Sequence, residues 1–219
     1  MQIAVREALW FHALYFAVAA AVLLAMHGPH LGASVLWLTI AYNLAIPALG
    51  LARGHTEWLW LWLFLVPLSM AQVLPDWALA GVAHMLVFPD LGSPRIGGEV
   101  PVYFMGLWMT LLFPVTLIAG AERHPYVAAG WLALPMFAFC EWFAPQLQLW
   151  YNRDVVHVGT MAVYPLVPEM MLAMTTLWAY RTLRSAGTVA RDAGALAVSV
   201  FYAGALVIAL VIERGWTHA

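Results

Sequence analysis

Long apolar runs alternate with short polar breaks along the whole chain. Runs of spanning length fall near residues 8–26, 33–52, 57–74, 100–120, 125–148, 157–180 and 192–212. The breaks hold residues that interrupt helices: His27-Gly28-Pro29-His30, Arg53-Gly54-His55, Glu122-Arg123-His124-Pro125 and Ser185-Ala186-Gly187. This pattern predicts an all-α integral membrane protein, seven transmembrane helices in a single domain over residues 1–219. The apolar segment Asp76 to Phe88 is too short to span comfortably. It predicts a short interfacial or re-entrant helix near 76–88, followed by a Gly/Pro-rich loop from Pro89 to Gly98. The first run has features of a signal peptide, with Arg6 ahead of it and Ala17-Val18-Ala19 in small-x-small form. Its length points instead to a retained first helix.

Composition agrees with the pattern. Hydrophobic residues make up 64% of the chain and charged residues 9%, whereas a soluble domain carries roughly a quarter charged residues. The net charge of −2 and the lack of a basic run give no basis for nucleic-acid binding. All nine cations are arginine, so a lysine Schiff base, and with it a retinal-binding rhodopsin, is excluded. The single cysteine, Cys140, excludes an intrachain disulfide and reads as a small packing residue.

Arginine placement orients the spans. With the N-terminus inside, Arg6, Arg53, Arg123, Arg181, Arg184 and Arg191 lie on the inner side, against Arg95, Arg153 and Arg214 outside. The expected topology is therefore N-terminus cytoplasmic and C-terminus outside. Trp58, Trp60 and Trp62 crowd one end of the third span, and Trp10, Trp77, Trp150 and Trp216 lie near other ends, as interfacial belts would place them.

Four polar groups fall at membrane depth: Asn43 in the second span, Glu99 entering the fourth, Glu141 in the fifth and Glu169 in the sixth. A carboxylate there is costly unless paired, hydrated or protonated, which makes it a site hypothesis. At ~1.5 Å of rise per residue, Glu99 is near the outer surface, Glu141 about 10 Å down, Asn43 about 15 Å and Glu169 about 18 Å. Outer-side loops add Asp76, His84, Asp90, Arg95, Asn152, Arg153, Asp154 and His157. Together they predict a polar-bottomed cavity open toward the outer leaflet. Pro165 and Pro168 predict a break in the sixth span, with Glu169 in the first turn of the second half-helix. The simpler role for Asn43 is an interhelical hydrogen bond, and for Glu99 a helix cap.

No metal site is expected, since no His-x-x-x-His pair lies on one helix. A mixed set of His157, Asp154 and Glu141 is the weaker alternative. Gly97-Gly98-Glu99 leads into a span rather than forming a nucleotide loop. Aromatic residues flank the acids: Trp142 beside Glu141, Tyr103 and Trp108 after Glu99, Tyr164 ahead of Glu169, and Trp150 at the end of the fifth segment. Such rings stabilise a cation by roughly 0.5–2 kcal/mol each. With His157 and Asp154 at the rim, they are the expected substrate-binding set.

In size, span count and intramembrane carboxylates the chain resembles small membrane-integral isoprenoid cyclases of the lycopene-cyclase-like and fungal meroterpenoid-cyclase-like kinds. Val167-Pro168-Glu169-Met170 stands where the first kind has Pro-x-Glu-Glu, with one acid here. Tyr42-Asn43-Leu44 supplies the Asn of an Asn-x-x-x-Glu element without its Glu. The resemblance implies a membrane enzyme acting on a long apolar, isoprenoid-type substrate by acid-initiated cyclisation, hydration or isomerisation, without a cofactor. Glu169 or Glu141 would donate the proton, and the other of the two, with Asn43, would set its pKa or take a proton back at the end; Glu99 is a further catalytic candidate. The alternative is a small proton-coupled transporter or lipid-binding permease coupled through Glu169 at a broken helix. A non-catalytic assembly subunit is a third possibility. Expected partners are an apolar lipid or isoprenoid and the membrane lipids.

Overall fold

The computed structural model describes residues 2–217 of the chain; the side chain of Trp216 and residue His218 lie outside the described residues. The protein is mostly helical, and the apolar runs of the sequence appear as helices: α1 (Gln2–Ala25), α2 (Pro29–Arg53), α3 (Thr56–Ala71), α4 (Val73–Trp77), α5 (Phe104–Ala119), α6 (Pro125–Phe143), α7 (Leu166–Leu183) and α8 (Thr188–Thr217). Among the described residues, five helical stretches are long and apolar enough to cross a membrane: Ile3–Ala25, Pro29–Arg53, Thr56–Val82, Pro125–Phe143 and Thr188–Gly215.

The breaks work as their chemistry dictates. Pro29 and Pro125 each sit in the first turn of their helix, where the missing N–H costs nothing. Gly54 closes α2 in the left-handed conformation, at φ 70°, which a side chain would resist.

The expected separate helix near 76–88 is not found. Residues 73–82 prolong α3: Gln72 donates to the Leu68 carbonyl at 3.0 Å and Asp76 to the Gln72 carbonyl at 3.3 Å. Pro75 has no N–H to offer, and the chain widens one turn later into a π-helical turn over Ala78–Val82. The helix then ends, and His84 takes a positive φ of 54°.

Nor is the fold wholly α. Between the helices, residues 83–103 and 144–165 form a cap built on three two-stranded antiparallel pairs. Strand β1 (Leu86–Val87) pairs with β4 (Tyr151–Asn152), locking the two loops together. Strands β2 (Arg95–Ile96) and β3 (Val100–Pro101) form one hairpin, β5 (His157–Val158) and β6 (Met161–Ala162) another. Arg95 stiffens the cap by donating to the carbonyls of Glu99, Phe88 and Pro89 at 2.7–2.8 Å. Glu213 on α8 accepts from the Val156 N–H at 2.8 Å, tying the cap to the last helix.

Because of the cap, three spans begin or end short of their expected bounds. Helix α5 starts at Phe104 rather than 100, α6 stops at Phe143 rather than 148, and α7 starts at Leu166 rather than 157. At ~1.5 Å per residue, the 16 residues of α5 and 18 of α7 are shorter than a hydrocarbon core of ~30 Å. Of the non-helical chain above them, Leu86, Phe88, Leu91, Val100, Leu149 and Ala162 are buried, whereas residues 156–160 are exposed.

Helix α7 packs between α6 and α8, and α3 against α5 and α8, while α1 lies outside against α2 and α5. The core holds Tyr42, Phe64, Met109, Leu112 and Phe113. Helix α1 turns Trp10, 74% exposed, away from it, as a lipid-facing surface requires. The tryptophan cluster of α3 differs from a simple belt. Trp58 is buried edge-on to Phe113, and Trp62 donates to the Asn43 carbonyl at 3.0 Å; of the three, Trp60 is the most exposed.

Candidate functional site: a carboxylate cleft under the cap

Three carboxyl groups from three helices line one narrow cleft beneath the cap: Asp76 of α4, Glu141 of α6 and Glu169 of α7. The cleft is about 50 Å³, room for a few water molecules as its side chains stand. Its walls are largely aromatic, with Trp108, Phe137, Trp150, Tyr164 and Tyr202. Among the described residues, no arginine or histidine lines it.

The three acids are held differently. Trp108 donates its indole N–H to Asp76 at 3.0 Å. Glu141 accepts at both oxygens, from Trp150 at 3.0 Å and from the Asn152 amide at 3.0 Å. Asn152 is oriented in turn by the Tyr164 hydroxyl, which donates to its carbonyl oxygen at 2.9 Å. Tyr164 lies in the loop ahead of α7, where burial, with the neighbouring carboxylates adding to it, pushes its hydroxyl well above the ordinary tyrosine range. It therefore remains a donor.

Glu169 stands apart. It is 4% exposed, and its Oε2 is buried without a hydrogen-bond partner. An unpaired buried oxygen costs about 1–3 kcal/mol, more for a charged group. Such a position persists where something else fills the valence: a proton, a water or a ligand.

The sequence-based depths change with the helix starts. Residues 157–165 form the β5–β6 hairpin and a turn; Gly159 takes φ +62°, and Pro165 disfavours helix at Tyr164. The first α7 bond runs from the Glu169 N–H to the Pro165 carbonyl at 2.8 Å. Glu169 is in the first turn of its helix, as expected, but no half-helix precedes it. It stands about 5 Å along the helix axis from the start of α7, whereas the apolar run predicts about 18 Å of helix from residue 157.

Of the eleven residues expected at a site, the cleft gathers Glu169, Glu141, Trp108, Tyr164 and Trp150. The others lie elsewhere. Asn43 clamps α2 to α5, donating to the Thr39 carbonyl at 2.8 Å and the Gly106 carbonyl at 3.1 Å. A Cβ at Gly106 would stand 2.8 Å from the Asn43 amide nitrogen, so glycine is what admits this contact. Glu99 sits in the β2–β3 turn, its side chain against Gly81. Tyr103 is buried against Phe104, outside the cleft lining. Trp142, 40% exposed, covers Gly159 on the protein's outer face. His157 and Asp154 are exposed in the cap. Among the described residues no three His, Cys, Asp or Glu side chains are placed to hold a metal ion, so the mixed set of His157, Asp154 and Glu141 does not assemble.

Asp76, Asn152, Cys140 and Tyr202 join the site: Asp76 and Asn152 were expected only as loop groups at the cavity, Cys140 as a packing residue, and Tyr202 had no expected role. Asp76 carried a usable signal. Leu68, Gln72 and Asp76 follow at four-residue steps and are all buried, which reads as one helix face once the helix is allowed past residue 74. Asn152 reaches Glu141 only through the β1–β4 pairing, for which the sequence holds no local sign.

The fold and site define a helical, membrane-associated protein with an acid-bearing cleft closed by a stranded cap. Residues 73–212 match the family described as Domain of unknown function (DUF6989), and the chain belongs to that family. Every residue lining the cleft falls within the matched segment. No curated protein and no solved structure matches the chain.

Proposed function

We propose that this protein is a membrane-embedded enzyme that acts on a long apolar, isoprenoid-type substrate by acid-initiated cyclisation, hydration or isomerisation. In this reading the seven long helices all cross the bilayer, with the N-terminus cytoplasmic, the C-terminus outside and the cap on the outer side. Glu169 transfers its proton to an alkene carbon or epoxide oxygen of the substrate, leaving a carbocation and the Glu169 carboxylate. The cation is held by the π-faces of Trp108, Phe137 and Trp150. It is discharged by loss of a proton to a carboxylate, or by capture of water with loss of a proton. Either route returns the site to its starting charge.

One observation carries the assignment: Glu169 alone of the three acids has a buried oxygen without a partner, in an aromatic cleft with no basic side chain. Glu141, with both oxygens already bonded, serves better to hold Asn152 and Trp150 in place. The purified protein incubated with neutral polyprenes and their epoxides should give product. Glu169→Gln should lower turnover by roughly 10²–10⁴-fold, the usual worth of a positioned acid. Turnover that survives both Glu169→Gln and Glu141→Gln would sink the acid chemistry.

A further inference from the structure

The cleft is sealed unevenly. Its lining from α4, α7 and α8 is buried, whereas Leu107 and Leu111 of α5 and Cys140 of α6 are half-buried. Leu107 and Leu111 are one helical turn apart and share a face of α5. Gly130 marks the side of α6 that meets α7, through Met170 and Met174, and Phe137 meets Trp108 of α5 at 5.7 Å between ring centroids. The two helices are joined at the far end by the short turn 120–124, so the cleft lies at the free end of a helical hairpin. Trp150, the remaining half-buried lining residue, stands edge-on to Phe104 at 5.6 Å with its N–H on Glu141.

We propose that the free ends of α5 and α6 form a lateral portal, through which the neutral end of a single membrane-dissolved hydrocarbon chain passes from the bilayer to Glu169. The proposal rests on the reading of the protein as a membrane enzyme for apolar substrates, and it names the chemistry of the end that enters. The portal is apolar, two leucines and a thiol, so it suits a chain already dissolved in lipid. On the cap side the chain is braced by the β1–β4 pairing, whose Leu86 and Asn152 line the cleft, and by Arg95, whose guanidinium is spent on three cap carbonyls. A phosphate or diphosphate terminus would find no arginine or histidine in the cleft and three carboxyl groups facing it. An alkene or epoxide terminus meets no such penalty. Because the cleft holds only a few waters as it stands, the chain must displace Leu107 and Leu111 to enter. Bulk at these positions therefore controls access.

The test is photolabelling of the whole chain in phosphatidylcholine nanodiscs with a neutral isoprenoid bearing an alkyl diazirine at its far end, followed by peptide mapping. Label should collect on Glu169 or Glu141 and on the peptides holding Leu107, Leu111 and Cys140. Leu111→Trp should cut labelling of the carboxyl groups by roughly tenfold, equivalent to about 1.4 kcal/mol of exclusion. Ile118→Trp, lower on the same face of α5 and outside the cleft, should leave it unchanged. Leu107→Ala should raise it, which keeps the proposal testable if the bulky variant misfolds. An unlabelled neutral chain should compete, and the same chain ending in diphosphate should not. Wild-type labelling in Leu111→Trp, or equal competition by the diphosphate, would overturn the portal. Labelling that follows these expectations without any turnover of neutral polyprenes would keep the portal and remove the acid chemistry.

Discussion

Two regions of this molecule bury polar side chains, and they do so to opposite ends. In the N-terminal region, His12 of α1 is 4% exposed and bonded on both ring nitrogens. Nδ1 donates to the Ala8 carbonyl at 2.7 Å, and Nε2 of the neutral ring accepts from Tyr42 of α2 at 2.7 Å. Phe113 stacks on the imidazole, and His12 does not line the carboxylate cleft. Under the cap, Glu169 is equally buried but leaves an oxygen unpaired beside open space. Burial of a titratable group is thus no sign of a site by itself. An unmet hydrogen-bonding position that faces a cleft is a better one, because a satisfied group has nothing left to offer a ligand.

The contrast breaks most sharply if the acids are made apolar. Glu141→Leu should destabilise the fold by about 1–3 kcal/mol for each of the two donors it orphans, Trp150 and Asn152. Glu169→Leu should be neutral or stabilising, since it removes an unpaired group and fills space. Thermal unfolding in micelles reads both, and the same sign for the two would contradict their different roles. Tyr42→Phe should cost about 1–3 kcal/mol by leaving His12 Nε2 without its partner, and should leave turnover unaltered. A loss of turnover there would draw the N-terminal cluster into the chemistry. The smallest effect is expected for Asn43→Ala, about 0.6–2 kcal/mol of helix-to-helix bonding with turnover retained. Melting curves and product yields measured together separate a clamp from a catalytic assistant.

The family match adds a second line to the comparison. It covers 73–212, which includes the whole cleft lining, and excludes His12, Tyr42 and Asn43. The segment shared with the family is thus the one that carries the unmet acid. Helices α1 and α2 contribute packing against α5 and an exposed apolar face.

Much of the helical layout was legible in the chain, because apolar run length and Gly/Pro breaks are local properties. Pro29, Gly54 and Pro125 mark helix ends in the structure as they do in the sequence. Glu141 and Glu169 were also legible, since a carboxylate in an apolar helix demands a reason wherever it is placed. What misled was the helix start. Apolar content alone does not distinguish helix from covered strand, so residues 157–165 read as span although Gly159 and Pro165 turn them into a hairpin. That reading places Glu169 twelve residues into a helix, and the structure places it in the first turn, in a different cluster from Asn43.

By itself, then, the sequence determined that this is a helical membrane-associated protein and that two glutamates are its costly residues. Both conclusions follow from solvation, which acts residue by residue. The tertiary structure decided the rest: that Asp76 completes a trio, that Asn152 reaches Glu141 across a strand pairing, and that Glu169, alone of the three acids, keeps a buried oxygen without a partner. Those facts depend on which segments meet in space, and hydrogen-bond satisfaction is a property of neighbours rather than of any residue alone.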